Sequence, residues 1–444
     1  MKPLLPLLFV LSLCCFFSAC GNDDNPSQTP LVTDYGVTEA GQTLRPGDVV
    51  HIYGNGFRAN DCVEYDFRWD TGEQMMPEGF CGPVSAEITA NRPDGIDVRM
   101  PYRMPPSRVD IFLRREGDRM LMGKVLSADG QTPQDFRLYA LDGRRHTIGR
   151  IGATSAVTPS ESTWDISERQ DFHSIVNCVY TYGLCGLSKE NGTQQPFFLD
   201  FCTGEWKPLD TSPNTTLALI AGHPGSIFAI QSRDGKNGKQ YSMQNVSNCL
   251  ERSNYAVPTR MNSTSGSGPY YELPEGLRAE QFGDYPGVVA NDGVVLLSAK
   301  TGEGRWTPVL YHRLSGFHMQ EAVEAEALIP FFFSVPLPAA EGGKPESVRM
   351  TGYVVSAPAD EGGSRFYLRG DHVNEGLWAQ EPFAVWQDKV VSVSHRFDRP
   401  GTFTVLSEKD GTYTVADYDR NQNKWETPVC SVADVSYSAI AWGN

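Results

Sequence analysis

Asp200-Phe201-Cys202-Thr203-Gly204-Glu205-Trp206-Lys207-Pro208, Thr301-Gly302-Glu303-Gly304-Arg305-Trp306-Thr307-Pro308 and Asp417-Tyr418-Asp419-Arg420-Asn421-Gln422-Asn423-Lys424-Trp425-Glu426-Thr427-Pro428 share one order. Each ends a strand, turns through polar residues, and reaches tryptophan and then proline. The three tryptophans stand 100 and 119 positions apart, about two periods of 50 to 60 residues each. A blade of four strands takes roughly 40 to 50 residues before loop insertions lengthen it. The stretch from 135 to 444 therefore holds six or seven blades. Inner or middle strands fall at matching intervals, at 136–141, 175–180, 217–220, 294–298, 352–356 and 390–394. The last strand, 435–442, is placed to pair with the first blade and close the ring, which removes the exposed edges that invite aggregation. Repetition at equivalent places is what packing demands, so Trp206, Trp306 and Trp425 read as structural.

The arrangement resembles a β-propeller of the kelch or galactose-oxidase-like type. The tandem glycines of true kelch strands are missing, so the resemblance implies the architecture alone. A two-sheet sandwich or β-helix with coincidental tryptophans is the competing reading. Two segments break the rhythm. Residues 259–284 are rich in Ser, Gly and Pro and carry Tyr270-Tyr271. Residues 316–346 hold Gln320 to Leu328, read as a short helix, then Phe331-Phe332-Phe333 as a buried strand. Long insertions on one face of a propeller often bind.

Residues 31–130 form a separate unit of short strands, which suggests a β-sandwich. Val49 to Tyr53 is a strand turned by Gly54-Asn55-Gly56-Phe57; Gly95 to Met100 and Val109 to Arg114 alternate, and Met120 to Leu126 closes the unit. Pro46-Gly47-Asp48, Gly54-x-Gly56-Phe57, the Met100-Pro101 strand end and a last strand through Gly123 resemble the IPT/TIG immunoglobulin-like domain. That resemblance implies a spacer or docking module without catalytic residues, with Phe57 plugging the sandwich end. The expected fold class is all-β, an Ig-like sandwich followed by a six- or seven-bladed propeller at 135–444.

Ahead of both lies a leader. Lys2 precedes an almost unbroken apolar run from Leu4 to Phe17, too short as a helix for a hydrocarbon core of roughly 30 Å. It reads as a signal peptide over 1–19. Phe17-Ser18-Ala19-Cys20 resembles the lipobox of bacterial lipoproteins, which implies acylation of Cys20, with palmitate among the chains. The tether at 20–30 begins Gly21-Asn22-Asp23-Asp24-Asn25, resembling the acidic export signal of glycan-foraging Gram-negative bacteria. The resemblance implies an outer-membrane lipoprotein facing the cell exterior, with a periplasm-facing anchor as the alternative. Seven cysteines remain after the leader and Cys20; Cys62 and Cys81, in one small domain, are the disulfide candidate.

The net charge of −16 argues against nucleic-acid partners, since phosphate contacts need a basic patch. No HExxH, His-x-His, GxSxG, P-loop or dinucleotide fingerprint occurs, so neither a metal nor a cofactor is expected. His312 and His318, six apart, are read on one face of a strand, too far apart to share a metal. Asp419-x-Asn421-x-Asn423 lacks the glycine and glutamate of a calcium loop and reads as a blade turn. Carboxylates are plentiful, but no spacing marks a glycosidase pair. Aromatics are the remaining lead, because sugars present apolar C–H faces to flat rings with polar handles. Trp164, Tyr270, Tyr271, Trp378 and Trp386 lie outside the repeated turn and are the candidate ligand contacts. The expected function is non-catalytic glycan capture for an outer-membrane transporter. A propeller-type polysaccharide lyase or glycoside hydrolase, and a protein-docking or adhesion scaffold, are the alternatives.

Overall fold

The computed structural model describes residues 31–443 apart from 69–83, 102, 105–106, 129, 132–136, 144–146, 152–162, 166–171, 178–182, 191–192, 202–205, 210–214, 222–227, 237, 247–268, 337–346, 358–361, 370–380, 397–398, 427, 429 and 434. Nearly all of the described chain is strand, and its one helical element is a single 3-10 turn, Ala279–Gln281.

The N-terminal unit is a sandwich. Strands Thr33–Val37, Val49–Asn55, Gly95–Arg99 and Ile88–Arg92 form one sheet. Thr43–Leu44, Asp118–Ser127, Ser107–Arg115, Cys62–Arg68 and Val84–Ala86 form the other. Period-2 alternation decides what each strand buries: Val63, Tyr65 and Phe67 enter the core with Val50, Ile52, Val98, Ile111 and Leu113. Phe57 packs against that core, as expected of a plug. Gly54 has φ +153, and a Cβ there would lie 2.7 Å from Val32, so the expected glycine is required by the backbone and by the neighbouring side chain.

Of the two cysteines in the disulfide expectation, Cys62 is the one described. It is a buried free thiol whose S–H points to the Asn60 carbonyl at 3.9 Å. On the pleat, Cys62, Glu64 and Asp66 occupy the face opposite the core, where Glu64 meets Arg114 at 2.6 Å and Asp66 meets Arg119 at 3.5 Å. Cys81 lies outside the described residues.

The larger unit has six blades among the described residues. Their innermost strands are Tyr437–Gly443, Phe172–Asn177, Thr216–Ala221, Gly287–Val289, Ala327–Pro336 and Lys389–His395, taken here as blades 1 to 6. Blade 1 joins the two ends of the unit: Tyr437–Gly443 pairs antiparallel with Arg137–Asp142, Leu138 facing Trp442. Closure by the last strand is thus as expected, with that strand innermost. Blades 3 and 4 are fused at the axis, where Ile220 and Ala221 pair in parallel with Gly287 and Val288. Each blade is sandwiched between two others, so its second strand is apolar on both faces. In Val295–Gly302, Val295 and Leu297 pack with Leu217 and Ile230 of blade 3. Leu296 packs with Leu328 and Tyr353 of blade 5. Phe331, Phe333, Phe366 and Phe403, joined by Tyr418 and Trp386, fill the space between blades 5 and 6.

Two sequence expectations change. Trp206 and Trp425 stand in the fourth strands of blades 2 and 6, whereas Trp306 stands in the third strand of blade 4. The three turns look alike because any tight hairpin uses the same polar residues, and they are not equivalent places. Gln320 to Leu328 forms no helix: Val323–Glu324 pairs with Arg305 and Trp306, and Ala327 begins the innermost strand of blade 5. Sheet pairing overrides the helical propensity of its Ala and Glu.

The two units meet through Glu87, which takes Arg99 at 3.3 Å and also Arg137, the first residue of its strand in blade 1. Gly130–Gln131 pairs back onto Arg103–Met104.

Candidate functional site

All six innermost strands converge on a small axial cavity. Ile175, Val176, Ala221, Val288, Pro330, Phe331, Phe332, Val393, Ser394, His395, Ile440 and Ala441 contribute to its lining. Its volume of about 50 Å³ holds a few waters at roughly 10–15 Å³ each. Ligand pockets run to roughly 300–1,000 Å³, so a sugar ring does not fit inside. Among the described residues of that lining, His395 is the one titratable side chain. Its ring packs against Phe332 at 4.4 Å, tilted by 40°, and Arg349 lies over the same Phe332 at 4.8 Å. Arg349 Nη1 donates to Val289 O at 2.9 Å, while Asn291 exchanges two hydrogen bonds with the Arg349 backbone at 2.7 and 3.1 Å. Burial pulls the Arg349 pKa down from its ordinary value. Nearby, Arg369 grips Asp292 bidentately at 3.1 and 2.8 Å and holds that carboxyl below its usual range.

A different chemistry occupies the rim of blade 3. The insertion returns to the fold at Tyr270-Tyr271, where Tyr271 bridges to Tyr241 on the blade's outer strand. Successive residues of an extended chain face opposite ways, and the two tyrosines separate accordingly. Tyr271 turns inward: its ring covers Gly316, where a Cβ would sit 2.7 Å away, and its hydroxyl donates to Arg313 O at 3.2 Å. Tyr270 turns to the other face and stays half-exposed. Gln244 Nε2 donates to its hydroxyl at 3.1 Å, and the Arg233 guanidinium lies 3.4 Å from its ring centroid. A flat ring is thereby framed by an amide and a cation at the surface.

Of the aromatic candidates whose side chains are described, Tyr270 is the one whose partly exposed ring is flanked by an amide and a cation. Tyr271 is a packing residue. Trp386 is 8% exposed and packs against Trp425 at 4.5 Å in the core between blades 5 and 6. Trp164 lies in Thr163–Asp165, the outer strand of blade 1, with its side chain outside the described residues. Trp378 and Cys20 fall outside them altogether. His312 and His318 sit on facing strands of one hairpin, and both reach Ser315 Oγ, at 3.2 and 2.8 Å. A turn at 313–315 separates them, where a single strand is expected from the sequence. Among the described residues no three His, Cys, Asp or Glu gather to hold a metal. The Asp419 motif is a turn in which Asp419 Oδ1 accepts the amides of Asn421 and Gln422 at 2.8 and 3.3 Å. Arg233, Gln244, Phe332 and His395 were not legible as site residues. They come together only through strand pairing, and no local motif marks them.

Comparison with known proteins gives two family matches. Residues 29–135 match the DUF4784 N-terminal Ig-like domain, and residues 142–395 match the DUF4784 WD40-like domain. A crystal structure of a DUF4784 family protein from Bacteroides caccae is 48% identical, covers 94% of this chain and 100% of its own, and superposes with a TM-score of 0.59. TolB from Acinetobacter baumannii is 9% identical over 78% of this chain and 82% of its own, with a TM-score of 0.38. An auxiliary nutrient binding protein from Bacteroides ovatus is 11% identical over 89% of this chain and 98% of its own, with a TM-score of 0.27. Likeness at the last two scores carries no argument. No curated protein matches the chain.

Proposed function

Because the chain belongs to the DUF4784 family, an Ig-like domain followed by a WD40-like domain, we propose that it is a surface lipoprotein whose propeller captures glycan for an outer-membrane uptake system, without chemistry of its own. The observation that carries this reading is Tyr270. Its ring is an apolar plane at the surface, with Gln244 bonded to its hydroxyl and Arg233 against its face. Sugars offer the matching combination of C–H faces and hydroxyl edges. The axial cavity of about 50 Å³ is too small to hold a saccharide, which supports reading the rim as the binding face. The address rests on the leader: the apolar run, Cys20 at the lipobox, and the acidic residues Asp23 and Asp24. Two or more acyl chains give the stable anchoring that one would not.

The test is a polysaccharide array probed with the purified full chain, beside a Tyr270→Ala variant. Binding by the parent and its loss in the variant supports glycan capture; silence across the array overturns it. Release of new reducing ends would instead favour the enzyme reading, for which His395 is the first axial group to substitute. Cys20→Ala should abolish labelling by a fatty-acid probe and remove the chain from protease-accessible sites on intact cells.

A further inference from the structure

Arginines in this acidic chain usually meet a carboxylate. Arg92, Arg114, Arg115, Arg369, Arg396 and Arg399 all do so at 3.1 Å or less. Arg233 is different. It is exposed, it makes no ion pair among the described residues, and its guanidinium is nevertheless held in place by the Tyr270 ring at 3.4 Å. To get there it crosses the outer strand of blade 3, from a position in register with Gln240. A guanidinium lying on a ring face keeps its N–H fork directed sideways, away from the ring. The Gln244 amide nitrogen is engaged with Tyr270 and with Ser242 at 3.2 Å, so the platform beneath the fork is itself fixed.

From this arrangement we infer that the rim site takes an acidic glycan, one whose sugar carries a carboxylate, with Arg233 gripping that group and Tyr270 orienting the guanidinium. The inference rests on the glycan-capture reading and narrows its substrate class. A planar fork matches a carboxylate through two parallel hydrogen bonds, and charge makes each about twice as strong as a neutral one. Stacking on Tyr270 has already restricted the long side chain, which lowers the ordering cost at binding. The net charge of −16 does not prevent this. Surface charges farther away than a Debye length of roughly 8 Å are largely screened at physiological salt, so the local cation governs.

The experiment compares uronate oligosaccharides with the same oligosaccharides after reduction of their carboxylates to alcohols, against the full chain. The acidic form should bind about tenfold more tightly, as expected for one charge-assisted contact, and the advantage should shrink at high salt. Arg233→Gln should erase the difference without changing the melting temperature, and Arg233→Lys should retain only part of it. Equal affinity for acidic and reduced forms, or an Arg233→Gln variant that still discriminates, overturns the acidic class and leaves glycan capture standing. Failure to bind any glycan, neutral or acidic, overturns both.

Discussion

The indole N–H of Trp442 reaches Thr404 Oγ1 at 2.7 Å, and that hydroxyl in turn donates to Asp417 Oδ1 at 2.5 Å. The chain's last strand is thereby tied to a carboxylate in blade 6. Asp417 is 1% exposed, and its other oxygen takes Arg396 at 2.7 Å and Arg399 at 3.3 Å. Arg396 also lies over the Trp442 ring at 4.0 Å. Ser392 and Ser394 of blade 6 accept the backbone amides of Ile440 and Trp442 at 3.1 and 3.0 Å. Ring closure is therefore a polar seam as well as a strand pairing.

Trp442→Phe should remove one bond of that seam and cost about 1 kcal/mol. Asp417→Asn should cost more, about 3 kcal/mol, because the part-buried Arg396 loses its counter-charge while Arg399 keeps only Glu426. Both are read from urea midpoints at neutral pH. Unchanged midpoints would mean the seam is not what holds blades 6 and 1 together.

Tyr65 predicts a gain. Its ring is fully buried in the sandwich core, its hydroxyl has no hydrogen-bond partner among the described residues, and burial pushes its pKa upward. A buried donor left unmade costs about 1–3 kcal/mol. Tyr65→Phe keeps the ring and removes the orphan, so the melting temperature should hold or rise. A clear fall would reveal a partner for the hydroxyl.

Where the fold was legible, it was through local chemistry. Val49–Asn55 could be read because apolar alternation ended at Gly54 and Gly56, and the closing strand because an aromatic β-branched run ended the chain. Blade equivalence was harder. Trp306 mimics Trp425 in sequence, yet the two occupy different strands, because a polar turn is the same whichever strands it joins. The site was half legible. Tyr270 could be suspected as an aromatic in an insertion. Its separation from Tyr271 depends on which way each residue points from an extended backbone. Arg233, 37 positions away, arrives only across a paired strand.

Acid should loosen the molecule through its paired carboxylates. Arg399 holds Glu426 below the usual carboxylate range, and Arg92, with help from His51, does the same for Asp97. A depressed carboxyl contributes stability that is present above its unfolded value, about 4.3 for Glu and 3.9 for Asp. That stability is lost as pH falls through the lower folded value. Melting temperatures measured from pH 6 to pH 2.5 should thus decline below about pH 4. Glu426→Gln should be less stable at pH 6 and should show a shallower acid decline. Parallel curves for parent and variant would remove Glu426 from the acid response.

Trp386 and Tyr270 should separate stability from binding. Trp386 packs on Trp425, whose indole N–H donates to Val385 O at 2.9 Å, beside Phe366 and Phe403. Trp386→Ala opens a cavity in that core and should cost about 3–5 kcal/mol. Tyr270 is half-exposed, and Tyr270→Ala should stay within about 1 kcal/mol of the parent while losing glycan. A Trp386→Phe variant, which fills most of the space and removes an indole N–H that has no partner among the described residues, should restore most of the stability lost in Trp386→Ala. If it folds fully yet binds no glycan on the array that the parent binds, Trp386 touches ligand after all, and the assignment of Tyr270 as the rim contact must be redrawn.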